Sequence, residues 1–298
     1  MGDKSGIEWC DATWNPVRGC SMISDGCTNC YAMRQAARMA GTGGAYEGLV
    51  TARGPVWSGK VRVVPEKLWE PLRWTRPRRV FVNSMSDLFH TGVPFEFIAA
   101  VFGVMAAAET HTFQVLTKRP IWARSWFRWI EEQAGGAMCH AAWEALCAEA
   151  NHHPLGDRGP LHTAYCADPE GPWPLPNVWL GVSVEDQHTA DVRIPTLHEI
   201  PAVKRFISAE PLLGPVDLTH LGLENLSWVI VGGESGPRAR PMDLKWARDI
   251  RAQCEEAGVP FFFKQAGGRT ASKGGNRLDG RVLQEFPGAT VGHLRSNR

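Results

Sequence analysis

Three cysteines near the amino terminus have the spacing of metal ligands. Cys20, Cys27 and Cys30 form a C-x6-C-x2-C pattern in a segment that also contains glycines. The close pair can point two thiolates at one metal, and the glycines allow the chain to fold back and bring the third thiolate to it. Two very different sites fit such a set. One is a four-iron four-sulfur cluster with an iron open to an exogenous ligand, and the other is a tetrahedral structural zinc with Cys10 as its fourth ligand.

A second group of chemistry-bearing residues follows a series of apolar runs. These polar endings are residues 83–87, 117–119, 183–186, 208–210, 233–236 and 264–265. The chemistry of β/α barrels lies at the carboxyl ends of the strands, so we expect the endings to share one mouth. The expected cofactor contacts are Ser84, Asp87, Ser183, Glu210 and Glu234, and the expected substrate contacts are Lys118, Arg119, Arg238 and Lys264. A structural alternative for one carboxylate is an ion pair between Glu210 and Lys264.

The cations of these endings predict an anionic ligand. Arg240 and Arg269 would add to the positive charge of the mouth, and four arginines precede an early strand at 73, 76, 78 and 79. A basic face on a protein of nearly neutral overall charge favours an anionic partner. The 13 tryptophans would suit the stacking of extruded bases, although they would equally suit a core.

The elements that must position these residues alternate between strands and helices. Strands are expected at 79–84, 113–117, 178–183, 205–208, 228–233 and 260–264, after a first strand around 14–18. Helices are expected at 94–108, 121–132, 186–198 and 243–257, and another should begin near Tyr31. Apolar strands alternating with helices indicate a parallel sheet covered on its outside. We therefore predict an α/β fold, a full or partial (β/α) barrel of about six to seven parallel strands.

Two segments interrupt this alternation. We assign residues 1–268 to the barrel-like domain, with an inserted helical segment at about 135–176, because a structureless loop of that length is improbable inside a compact domain. Residues 269–298 are expected to form a C-terminal tail or flap.

Composition narrows the class of protein. The chain has 298 residues, 32 Lys and Arg against 31 Asp and Glu, and 44% hydrophobic residues, which argues against disorder. The longest apolar run, residues 97–108, is too short to cross a bilayer, so no membrane partner is expected. The first residues lack an apolar signal segment, which predicts a cytoplasmic protein whose cysteines are thiols or metal ligands.

The placement of the cysteines at the end of the first strand resembles the radical S-adenosylmethionine enzymes. A closer resemblance is to a three-cysteine-motif family of phage and bacterial proteins of unknown function. It rests on residues 14–16, 19–21, 26–32, 81–89, 116–120, 180–185 and 232–236. These resemblances imply a four-iron four-sulfur cluster held by Cys20, Cys27 and Cys30, with S-adenosylmethionine as the second cofactor.

The leading functional hypothesis is therefore a radical S-adenosylmethionine-like iron-sulfur enzyme. Its expected substrate is anionic, a nucleic-acid base or nucleotide in DNA or RNA, and the reaction would serve modification or repair; a partner protein is compatible with it. The alternative is a zinc-stabilised nucleic-acid-binding protein without redox chemistry. A metal-dependent hydrolase is a third hypothesis, which the scattered histidines His90, His111 and His188 do not favour.

Overall fold

The computed structural model describes residues 5–134, 172–270 and 274–288. Most of the predicted insertion lies outside these residues. The strands are β1 (Ala12–Trp14), β2 (Val17–Gly19), β3 (Val61–Val63), β4 (Arg79–Val82), β5 (Thr112–Thr117), β6 (Val178–Val184), β7 (Lys204–Ala209), β8 (Trp228–Gly232), β9 (Phe261–Gln265), β10 (Arg277–Leu278) and β11 (Arg281–Val282). The α-helices are α1 (Tyr31–Arg38), α2 (Phe95–Ala107), α3 (Pro120–Ala134), α4 (Gln187–His198) and α5 (Leu244–Ala257). Single 3₁₀ turns occur at Asp25–Cys27, Pro65–Lys67, Pro71–Arg73 and Leu223–Asn225.

Seven parallel strands form one sheet in the order β1-β4-β5-β6-β7-β8-β9. The sheet curls into a half-barrel with helices, which confirms the predicted fold class and strand number. Within the described residues β1 and β9 are the two edges of the sheet and do not pair with each other. Two further pairs of short antiparallel strands, β2 with β3 and β10 with β11, lie outside this sheet.

The two faces of the sheet carry different cores. Alternate residues of the strands, such as Val80 and Val82, pack with apolar residues of α2 to α5 in the outer core. The intervening residues point inward, where Phe81, Trp179 and Trp228 form an aromatic cluster that also includes Trp9. The buried tryptophans of both clusters are therefore core residues, and of these only Trp9 also lines the pocket described below.

The helix boundaries follow from their capping residues. Asp186 and Thr189 form a reciprocal capping box at the start of α4. Asp243 accepts a hydrogen bond from the backbone of Lys245 at the start of α5, and Gly258 ends that helix in the left-handed conformation.

The prediction of a single first strand around 14–18 was wrong. β1 ends at Trp14, and the chain then forms β2, which pairs with β3 outside the main sheet. Pro16 separates the two strands, because proline has no backbone N–H to donate to a ladder. The next strand also ends before its predicted limit, since Asn83 has a φ of 60° and leaves the extended conformation.

The described part of the C-terminal segment runs alongside β9. The backbone of Phe263 donates to Leu283, and that of Glu285 donates to Phe261. Phe286 packs on Trp228 inside the half-barrel. This segment therefore covers the edge of β9 along Phe261 and Phe263. No helix within the described ranges is long and apolar enough to span a membrane, and the apolar run 97–108 lies mostly in the buried helix α2.

Candidate functional site

One pocket opens at the carboxyl ends of the strands. It encloses about 200 Å³ of space accessible to water, within a wider recess that opens to solvent, so a small molecule can enter it. Its walls include Cys20, Cys27, Cys30, Ser84, Asp87, Lys118, Arg119, Ser183, Glu210, Glu234 and Lys264. All the residues expected as cluster ligands, cofactor contacts or substrate contacts, except Arg238, thus line this pocket. The side chain of Arg238 is exposed at the rim, where its backbone carbonyl accepts a hydrogen bond from Asn29 at 3.0 Å.

The cysteine segment folds over the pocket because two glycines permit close approaches. Gly19 has a φ of +88°, and a Cβ there would lie 2.4 Å from the carbonyl oxygen of Lys60. Gly26 lies against the side chain of Glu185, where a Cβ would be 2.4 Å from Cγ. A 3₁₀ turn ends at Cys27, and Cys30 directly precedes α1. We call residues 20–30 the cysteine loop.

The thiols of Cys20, Cys27 and Cys30 all line the pocket. Burial and, to a smaller extent, the neighbouring Asp87 together raise the pKa of Cys20 to about 12. Burial also raises the pKa of Cys30. In the part of the chain that the structure describes, no group of three or more His, Cys, Asp or Glu side chains is arranged to hold one metal ion. A single ion needs ligands that converge on a point, whereas the cysteines of a four-iron cluster bind different iron atoms and stand farther apart.

Cys10 is not brought to the other three cysteines. It belongs to the inward-facing aromatic cluster, and its thiol donates to the hydroxyl of Ser5 at 3.1 Å. It does not line the pocket. Burial raises the pKa of Cys10 to about 11. The described residues therefore offer no fourth cysteine at the site for the zinc alternative.

Asp87 organises one wall of the pocket. One oxygen accepts from the Thr117 hydroxyl at 2.8 Å and from the Phe89 backbone at 3.0 Å. The other accepts from the Lys118 backbone at 3.1 Å and from Arg119 at 3.3 Å. Arg119 in turn donates to the Ser21 hydroxyl at 2.7 Å. Because the protein already supplies four donors, Asp87 holds Arg119 and through it the start of the cysteine loop.

Glu185 is a site residue that the sequence analysis did not select. Its fully buried carboxylate accepts from Arg193 at 3.1 Å, from Lys118, and from the Ser24 hydroxyl at 3.0 Å. Glu185 directly follows β6, so the signal was its place in the polar ending 183–186. Through its hydrogen bond with Ser24, Glu185 supports the middle of the cysteine loop.

Glu234 joins the cysteine loop to the opposite rim. Its carboxylate accepts from Asn29 at 2.9 Å and from the guanidinium of Arg240 at 2.7 Å. Arg240 also donates to the backbone of Asp25 at 2.9 Å, and Arg34 donates to the backbone of Ser235 at 2.9 Å. These contacts bridge the side of the mouth that no strand closes. Burial favours a raised pKa for Glu234, but the hydrogen bonds from Arg240 and Asn29 hold that pKa below its usual range.

The deeper part of the pocket combines apolar walls with one ion pair. Glu210 accepts from Lys264 at 2.5 Å, which is the structural pairing considered above, and the Ser183 hydroxyl donates to the Glu210 backbone at 3.0 Å. Tyr31 reaches across the pocket, and its hydroxyl donates to the Ser84 carbonyl at 2.5 Å. The apolar lining comes from Ile7, Trp9, Phe81 and Leu116.

The expectation of a basic mouth needs correction, because carboxylates neutralise its cations. Lys118 and Arg193 share Glu185, Arg119 pairs with Asp87, Arg240 with Glu234, and Lys264 with Glu210. The arginines that precede the early strand do not add charge to the mouth through Arg79. Arg79 begins β4 at the opposite end of the sheet and pairs with Asp11. The pocket is therefore a ring of paired charges, with little net positive charge of its own.

These features define an α/β half-barrel protein with a thiol-bearing pocket at the carboxyl ends of its strands. A family model described as "Protein of unknown function (DUF5131)" matches residues 4–287, and the chain belongs to this family. The expectation of an uncharacterised family is thus confirmed. Neither the curated proteins nor the solved structures give a significant match. The family description names no activity and no cofactor, so the radical S-adenosylmethionine interpretation stays a prediction.

Proposed function

We propose that this protein is a radical S-adenosylmethionine-like iron-sulfur enzyme acting on a nucleic-acid base or nucleotide. The observation that carries the proposal is the position of Cys20, Cys27 and Cys30 in one loop over the pocket at the carboxyl ends of a parallel half-barrel. The donor set suits the cluster, because three thiols, with no fourth cysteine beside them in the described part of the chain, would leave one iron open. When bound, a cluster with S-adenosylmethionine supplies one-electron cleavage of a carbon–sulfur bond and removal of a hydrogen atom from a substrate.

The chain's own residues would hold the cluster and shape its surroundings. Cys20, Cys27 and Cys30 are the proposed ligands, and each must lose its proton on binding iron. Arg193 and Lys118 lie beneath the loop with only Glu185 between them, so this group carries one uncompensated positive charge. That charge favours thiolates above it.

Other residues would bind the small molecules. Ser84, Ser183, Glu210 and Lys264 present hydroxyl, carboxylate and ammonium groups in the deeper pocket, which suits the polar ends of S-adenosylmethionine or of a nucleotide. The walls formed by Trp9, Phe81 and Leu116 exclude water and offer apolar contact to a flat ring.

Anaerobic purification tests the cluster. The protein should be brown and should contain iron and sulfide, and the triple variant C20A/C27A/C30A should be colourless. Cys254→Ala is the matched control, because Cys254 is buried in α5 away from the pocket. A colourless wild-type protein with one tightly held zinc would contradict the proposal.

The reaction is tested separately. The brown protein, incubated with dithionite and S-adenosylmethionine, should release 5′-deoxyadenosine, detected by chromatography and mass spectrometry. Wild-type protein that contains a full cluster and yields none of this product would retain the cluster assignment and refute the enzymatic one.

A further inference from the structure

One segment beside the pocket carries several positive charges that the described residues do not neutralise. Residues 17–63, which we call the basic rim, carry six cations against Asp25 and Glu47. Their net charge is +4, so the rest of the chain carries −3 toward the total of +1. The six cations are Arg18, Arg34, Arg38, Arg53, Lys60 and Arg62. Among the described residues none of the six takes part in an ion pair, whereas the cations of the pocket walls do.

Two of these arginines face each other. Arg18 on β2 is the direct cross-strand partner of Arg62 on β3. Like charges in this relationship oppose strand pairing. Arg18 lies over the ring of Tyr46, 5.9 Å from its centroid, and Arg62 donates to the backbone carbonyl of Glu47, but neither contact removes charge. Folding does not require two opposed cations here, so their placement favours a role in binding.

The basic rim adjoins the mouth of the pocket. β2 leads directly into Cys20, and Gly19 bridges to Ser86 in the loop that follows β4. The next residues along the cysteine loop are Met22 and Ile23, whose side chains are 42% and 44% exposed. A chain molecule lying on the rim would therefore pass exposed apolar side chains on its way to the pocket.

We propose that the basic rim binds the sugar-phosphate backbone of a nucleic-acid strand and delivers one nucleotide to the pocket. Arginine and lysine neutralise phosphates regardless of sequence, while apolar side chains contact the bases. The pocket favours this occupant over an acidic protein, because its volume and its walls of Trp9, Phe81 and Leu116 suit a single flat ring. The inference gives the substrate of the proposed function its docking surface, but the binding itself does not depend on a cluster.

The test is the binding of a fluorescent 20-nucleotide single strand, measured by anisotropy over a series of salt concentrations. In Lys60→Glu/Arg62→Glu, affinity should fall roughly tenfold or more at low salt, and the slope of log K against log salt should become shallower by about one to two. Arg277→Glu/Arg281→Glu is the matched control, since it changes the charge equally on the exposed β10–β11 hairpin and should bind normally. Circular dichroism and thermal melting confirm that both variants fold.

Two further measurements separate the outcomes. Wild-type protein stripped of iron with a chelator should bind the strand as the untreated protein does, so a failed cluster assignment would leave this inference standing. Equal loss of affinity in the rim and control variants would overturn the inference, because it would indicate general attraction only. The rim variant could also bind the strand normally while an acidic flavoprotein no longer reduces its cluster. That result would assign the surface to a protein partner and would overturn the inference.

Discussion

Gly26 in the cysteine loop lies directly on the buried side chain of Glu185, at a distance that leaves no room for a Cβ atom. The carboxylate below is held by Lys118, which directly follows β5, and by Arg193, which lies in α4. Gly26 has no side chain, and the carboxylate of Glu185 is held by two ion pairs. The contact between these residues therefore determines how closely the cysteine loop approaches the sheet.

This contact predicts the effect of Gly26→Ala. The added methyl group should lift the loop or displace Glu185, at a cost of about 1–3 kcal/mol in the free energy of unfolding. Urea denaturation measures the cost, and iron content after anaerobic reconstitution measures the displacement. Gly41→Ala is the control, because a Cβ at Gly41 meets nothing within 4 Å. Equal stability of the two variants would show that the loop has room to move.

Removal of the charge at Glu185 should lower the free energy of unfolding by more than Gly26→Ala does. In Glu185→Gln, Lys118 and Arg193 remain with no carboxylate between them, and breaking a buried pair typically costs about 3–5 kcal/mol. Chemical denaturation at neutral pH checks this value. The matched control is Glu199→Gln, whose ion pair with Arg124 lies at the surface and is worth about 1 kcal/mol or less.

Asp87→Asn tests whether this carboxylate has a structural task. An amide can accept hydrogen bonds through one oxygen only, so two of the donors around Asp87 would lose their acceptor. We expect a loss of about 1–3 kcal/mol in unfolding free energy. Asp11→Asn, at the half-exposed pair with Arg79, should cost less. A change at Asp87 no larger than that at Asp11 would argue against the organising role of Asp87.

The contact of Glu234 with the cysteine loop predicts a dependence on pH. Hydrogen bonds from Arg240 and Asn29 outweigh burial and hold the pKa of Glu234 below its ordinary value of 4.5. Such a group stabilises the fold above its unfolded pKa, and the stabilisation is lost as the pH falls through the lower, folded pKa. The stability advantage of wild type over Glu234→Gln should therefore be largest at neutral pH and shrink below 4.5.

Denaturation midpoints of the two proteins across this pH range test the expectation, and chelator-induced loss of iron reports on the loop itself. A constant difference between wild type and variant at all pH values would mean that the Glu234 charge makes no contribution.

The half-barrel and the composition of its mouth could be predicted from the sequence, because buried parallel strands are short apolar runs and their carboxyl ends carry the polar residues. The partners of those residues could not. Glu234 pairs with Arg240 only because the chain after β8 turns back on itself, and Glu185 meets Lys118 only because β5 and β6 are neighbours in register. The expectation of a positive mouth failed for this reason, since each of these cations meets a carboxylate with which the local sequence does not pair it.

The position of Cys10 shows the same limit of prediction from local sequence. Its place in the chain, shortly before the cysteine loop, made it a reasonable fourth ligand. The residues before β1 instead run inside the half-barrel, where Trp9 packs on Phe81 with ring centroids 4.6 Å apart. Only the curvature of the sheet creates this space, and curvature is not encoded in local spacing.

The unpaired edges of the sheet have a consequence for access. Between β1 and β9 the wall at the mouth consists of side-chain hydrogen bonds from Asn29, Arg34 and Arg240, and not of a continuous ladder. Breaking these few hydrogen bonds would open the mouth of the pocket between β1 and β9 while leaving the strand pairing of the sheet intact. A long polymer could then be admitted sideways through the seam, without threading an end through an aperture.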